Sequence, residues 1–171
     1  MHPRRRNHPA FTLLELILVM AIVAIIVAMA SPMLRGFGEA RRGDNCAAEL
    51  VALTQWARTQ AMTRGAAYRL NLDPSARTYW LTVDQGDGLF VSPGTEFGRV
   101  FVAPDGVTID WNVAPQQDGQ YVSFWPSGRS DSAAIRVTGP SGEVTQVACL
   151  SATETFHVLT QQELNAGYGI R

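Results

Sequence analysis

Residues 11–30 read FTLLELILVMAIVAIIVAMA. From Leu16 to Ala30 every side chain is apolar. Twenty helical residues at about 1.5 Å each reach about 30 Å, the hydrocarbon thickness of a bilayer. Arg4, Arg5 and Arg6 stand just upstream, and no Arg lies within the run. Basic residues stay on the cytoplasmic side, so the remainder of the chain is expected to be translocated. One residue breaks the pattern. A carboxylate at Glu15 costs roughly 2.5–3.5 kcal/mol inside a membrane helix, so an acid there points to function and to a counter-charge.

Three readings of this segment compete. A secretory signal peptide would be cut after Ala30 in Ala28-Met29-Ala30, releasing a soluble β-domain that starts at Ser31. A plain anchor would keep the whole run. A prepilin-type leader would be cut between Ala10 and Phe11, leaving the run in the mature protein. Only the last gives Glu15 a use, because the new amine at Phe11 lies four residues before it.

Phe11-Thr12-Leu13-Leu14-Glu15 behind a short basic leader resembles the signature of type IV pilins and type II secretion pseudopilins. The resemblance implies that a prepilin peptidase cuts after Ala10 and methylates the amine of Phe11. It implies that Glu15 registers an incoming subunit and that Pro32 kinks the helix. Ala10 departs from the family's usual Gly before the cut, with Pro9 preceding it.

Beyond the apolar run, Pro32, Gly36, Gly38 and Gly43 predict a kinked or loosened stretch. Ala47, Leu50, Leu53, Ala57 and Ala61 then recur at three- and four-residue spacing, the stripe of a helix from about Asp44 to Arg64, stopped by Gly65. Trp56 lies off that stripe and is free to meet a neighbour or a second layer. Alternation at Tyr68–Leu72 and Tyr79–Val83 around Asp73-Pro74-Ser75 predicts a hairpin. Further strands are expected at 99–103, 107–111, 121–125, 134–138 and 143–150, separated by Pro/Gly turns. Short strands with tight turns imply an antiparallel sheet carrying the single helix.

ELVALTQWARTQAMTRGAAYRLNL (49–72) and Phe124-Trp125-Pro126-Ser127-Gly128, followed by Ile135-Arg136-Val137 and Gly142-Glu143-Val144, resemble the GspH/FimT branch of pseudopilins. The expected fold is therefore α+β and pilin-like. A leader occupies 1–10, a transmembrane and filament-core helix 11–32, its amphipathic second half 33–65, and a β-rich periplasmic domain 66–171. The expected protein is a minor pseudopilin of a type II secretion pseudopilus or type IV pilus that supports protein secretion. It would be a single-pass inner-membrane protein with a cytoplasmic N-terminus, later part of a periplasmic or surface filament. The partners this implies are prepilin peptidase, other pseudopilins or pilins, inner-membrane lipid and an assembly platform.

The 171 residues carry 14 Arg, no Lys and 15 acids, for a net charge of −1. Without Arg4, Arg5 and Arg6 the remaining 11 Arg face 15 acids, a balance of −4. That argues against a FimT-like role in DNA uptake, where a basic surface must meet phosphates. No P-loop is present, and His157 is the only histidine beyond residue 10. It lies in no nucleophile motif, so no enzyme is expected. Soft ligands are too few for a zinc site, and Asp84-Gln85-Gly86-Asp87-Gly88 lacks the spacing of a calcium loop. No metal and no cofactor are expected. Cys46 and Cys149 are the only cysteines. In an oxidising compartment they form either a helix-to-sheet disulfide or two buried thiols.

Overall fold

The computed structural model describes residues 12–113 and 121–167, without side chains at 30–40 and 113. Ala10 and Phe11 lie outside the described residues. Two compact units divide the chain, Met1–Gly38 and Glu39–Arg171.

The first unit is helical from Leu13 onward, the start of α1 (Leu13–Arg64). Its large apolar side chains are uncovered, from 46% exposed at Val19 to 77% at Leu14. Among the described residues no helix is long and apolar enough to cross a membrane. α1 stays helical through Pro32, Gly36, Gly38 and Gly43, where the sequence predicts a kinked or loosened stretch. A proline forfeits one backbone donor, and the ladder on either side of it persists.

The second unit opens with the remainder of α1. Ala47, Leu50, Leu53, Ala57 and Ala61 are all at most 1% exposed, so the predicted stripe is the buried face. α1 stops where Gly65 takes the left-handed conformation at φ 66° and its N–H bonds to the Ala61 carbonyl at 3.0 Å. Glycine does this without a Cβ penalty.

Two antiparallel sheets follow, where one was expected. The first contains β1 (Tyr68–Asp73), β2 (Thr78–Asp84), β3 (Phe90–Val91), β4 (Phe101–Val102) and β6 (Tyr121–Phe124). Its order is β3-β2-β1-β6, and β4 also pairs with β2. The predicted hairpin is β1–β2, with Leu70 opposite Leu81. The second sheet is β5 (Thr108–Val113), β7 (Ala133–Thr138), β8 (Val144–Cys149) and β9 (His157–Val158), in the order β5-β7-β8-β9. A five-residue helix, α2 (Gln161–Asn165), adds to the single helix expected.

Both sheets turn their apolar faces into one core. The helical stripe shares it with Tyr68, Leu70 and Leu81 of the first sheet and with Ile109, Ile135 and Val147 of the second. Burying each large side chain contributes about 1.5–3 kcal/mol. Trp56 also joins this unit. It stacks on Phe97 at 4.8 Å and meets Tyr68 edge-on at 5.8 Å, so it packs on the layer of the first sheet.

Candidate assembly site

The N-terminal motif is built around the start of α1. Glu15 N–H donates to Thr12 Oγ1 at 3.3 Å, and Leu16 N–H donates to the Thr12 carbonyl at 3.2 Å. Thr12 thus caps the helix, and Glu15 is its third residue. That spacing, Thr-x-x-Glu, is the one that closes helix N-termini. It also sets a negative side chain at the positive end of the helix dipole. Reading Glu15 only as an intramembrane acid overlooked this local role, although Thr12-Leu13-Leu14-Glu15 carried the signal. Around the carboxylate stand uncovered Leu13, Leu14, Leu16 and Ile17.

In the second unit, polar contacts fix α1 to the sheets. Thr145 Oγ1 donates to Asp44 Oδ1 at 2.8 Å. The Arg58 guanidinium donates to the carbonyls of Thr153, at 2.8 Å, and Glu154. Tyr79 donates its hydroxyl to Glu49 Oε2 at 2.6 Å, and burial together with that bond pushes its pKa up.

Cys46 and Cys149 are both buried and free. Cys46 Sγ lies 4.0 Å from the Tyr79 hydroxyl, and burial raises its thiol pKa. Cys149 Sγ instead meets Ser130 Oγ at 3.3 Å and donates to the Ser151 carbonyl at 3.1 Å. Each thiol has its own polar neighbours on a different element, so the bridge that the sequence left open is not formed here.

Asp84 Oδ1 accepts the amides of Gly86 and Gly88, both at 3.0 Å, so the acidic loop uses its carboxylate to close a turn. Among the described residues no cluster of three or more His, Cys, Asp or Glu is disposed to hold a metal. His157, which lies in no nucleophile motif, is placed against the C-terminal helix. Its Nε2 lies 3.2 Å from Glu163 Oε1, and its Nδ1 lies 3.1 Å from the Thr155 carbonyl. Both partners accept, which favours the doubly protonated ring and raises its pKa, the Thr155 bond foremost. Glu163 also receives the Thr160 amide and hydroxyl, and its pKa falls to about 2.

The capped start of α1 leaves its apolar side chains uncovered, a surface suited to packing against other molecules. A family model described as type II transport protein GspH matches residues 47–154. The chain belongs to this family. The prokaryotic N-terminal methylation motif matches residues 5–31. The fold is also that of solved pilin-like proteins. The minor pseudopilin EpsH from the type 2 secretion system of Vibrio cholerae is 12% identical with a TM-score of 0.60, over 70% of this chain and 97% of that one. The type IV minor pilin FimU of Pseudomonas aeruginosa is 14% identical with a TM-score of 0.55, over 74% and 94%. E. coli GspH is 13% identical with a TM-score of 0.53, over 71% and 88%. No curated protein matches.

The chain is a pilin-like subunit of a type II secretion pseudopilus or type IV pilus. Members of this family are structural subunits. The family and the motif together suggest a membrane-anchored periplasmic subunit that is processed at its N-terminus and assembles with other pseudopilins.

Proposed function

We propose that the chain is cut between Ala10 and Phe11, methylated at Phe11, and held as a single-pass inner-membrane protein until it enters a filament as a minor subunit. Segments 1–10, 11–32, 33–65 and 66–171 then act as leader, anchor, spacer helix and periplasmic domain. Pro32 supplies the bend between anchor and spacer. Prepilin peptidase, lipid, the assembly platform and other pseudopilins are its successive partners. The observation that carries this reading is an uncovered apolar helix whose first turn holds one carboxylate, Glu15.

Uncovered apolar surface of that extent needs lipid or a neighbouring helix to cover it. Moving from lipid to a filament core exchanges one dry environment for another, so hydrophobicity gives assembly no direction. Pairing Glu15 with the Phe11 amine of the same or an adjacent subunit gives it one.

Intact mass and N-terminal sequencing from membranes, with and without prepilin peptidase, test the reading. A methylated Phe11 start that depends on the enzyme is expected. A Ser31 start would replace the filament subunit with a β-domain released by signal peptidase. Glu15→Ala should leave the Phe11 start intact and abolish incorporation into filaments, measured by cross-linking to neighbouring subunits.

A further inference from the structure

We propose that Arg69, held between Phe90 and Tyr121 on the outer face of the first sheet, is a docking position for an acidic side chain of a neighbouring filament subunit. This rests on the filament reading above. β1 alternates buried and half-buried residues, so Arg69 points away from the core with Asn71 and Asp73. Its guanidinium carbon lies 3.5 Å from the Phe90 ring centre and 3.9 Å from that of Tyr121. Two rings this close cannot share one side of the guanidinium, so they grip it on both faces. β3 supplies one ring and β6 the other, on either side of the β2–β1 pair.

That grip fixes the plane of the fork and leaves its charge unanswered. Nε is shut off from solvent with no acceptor. Among the described residues no carboxylate pairs with Arg69. The strands of this sheet carry two, Asp73 and Asp84. Asp73 Oδ1 accepts from the Ser75 and Ala76 amides, and Asp84 Oδ1 from Gly86 and Gly88. Asp131, beside β6, is taken by the Ser123 amide at 2.9 Å. Among the described residues, these three acids are thus committed to backbone while Arg69 is not.

A planar guanidinium held flat is preorganised for two parallel bonds to a carboxylate. A nucleic-acid backbone would need several cations in a row. The outward positions Asn71, Asp73, Thr78, Trp80 and Thr82 supply none. Beyond residue 10 the chain has 15 acids against 11 Arg, so on a second copy of it acidic side chains are the commoner charge.

The test combines Arg69→Gln, Arg69→Lys and Glu15→Ala in the full chain with a binding titration. Acetate and inorganic phosphate serve as probes on the detergent-solubilised wild type, read at the Arg69 Nε–H resonance. A saturable shift with acetate is expected. Arg69→Gln should keep the wild-type circular dichroism spectrum, melt somewhat lower for want of its two ring contacts, and lower cross-linked incorporation by about tenfold or more, the range seen when one member of a charge pair is removed. Arg69→Lys, with the charge but not the fork, should fall between. Normal assembly of Arg69→Gln beside failed assembly of Glu15→Ala overturns the docking position and leaves the filament reading standing. Normal assembly of both variants overturns the two together. If Arg69→Gln does not fold, the titration decides: no saturable acetate shift, or a shift with phosphate alone, overturns the proposal.

Discussion

His157 and Glu163 make the C-terminal segment respond to pH. The histidine pKa is raised, so its contribution is complete below the unfolded value near 6.5 and is lost as pH rises through the folded value. Glu163 is depressed to about 2, so its contribution is complete above the unfolded value and is lost as pH falls toward 2. The pair should therefore hold α2 best between about pH 4.5 and 6.5. Protection factors at residues 157–165, taken relative to the unprotected exchange rate at each pH, should be highest in that window, and His157→Gln should flatten the upper limb. The cysteines provide a second test at this scale. Alkylation in denaturant without reductant should modify both Cys46 and Cys149, seen as two adducts by mass.

Among the elements, α1 and the β1–β2 hairpin were legible because each repeats one period long enough to be unambiguous. The stripe from Ala47 to Ala61 marked the buried face residue by residue. β3 and β9 are two residues each, too short for alternation to register. Division into two sheets was not legible either, because alternation assigns faces and not strand partners. Nor could sequence bring Phe90 and Tyr121 to Arg69, since that contact needs the strand order. Thr-x-x-Glu at the helix start was legible and was masked by the stronger membrane signal. Two substitutions probe these elements. Gly65→Ala meets nothing within 4 Å, so it should cost only left-handed strain, about 1 kcal/mol. Arg58→Ala should cost about 1–3 kcal/mol and speed exchange across residues 151–156, because two backbone carbonyls lose a charged donor.

For the second unit as a whole, helix and both sheets share one core, so they should unfold together. Circular dichroism and tryptophan fluorescence should give coincident thermal transitions. Leu50→Ala, at a fully buried position of the stripe, should lower stability by about 2–5 kcal/mol and shift both probes equally. Separate transitions would mean that the sheets are independent.

The apolar segment has no preferred azimuth: between Leu16 and Ala30 there is no polar side chain to face in any direction. In lipid such a cylinder spins freely about its axis, every angle being equivalent. A filament cannot tolerate that degeneracy, because each subunit must arrive at a defined angle and height. On the proposed filament reading, Glu15 is the single index mark on an otherwise featureless rod, and it sits where the rod begins. A second mark half a turn away would offer two ways to seat. Adding a carboxylate at Ile17 should therefore yield misregistered filaments, a fault of alignment and not of anchoring.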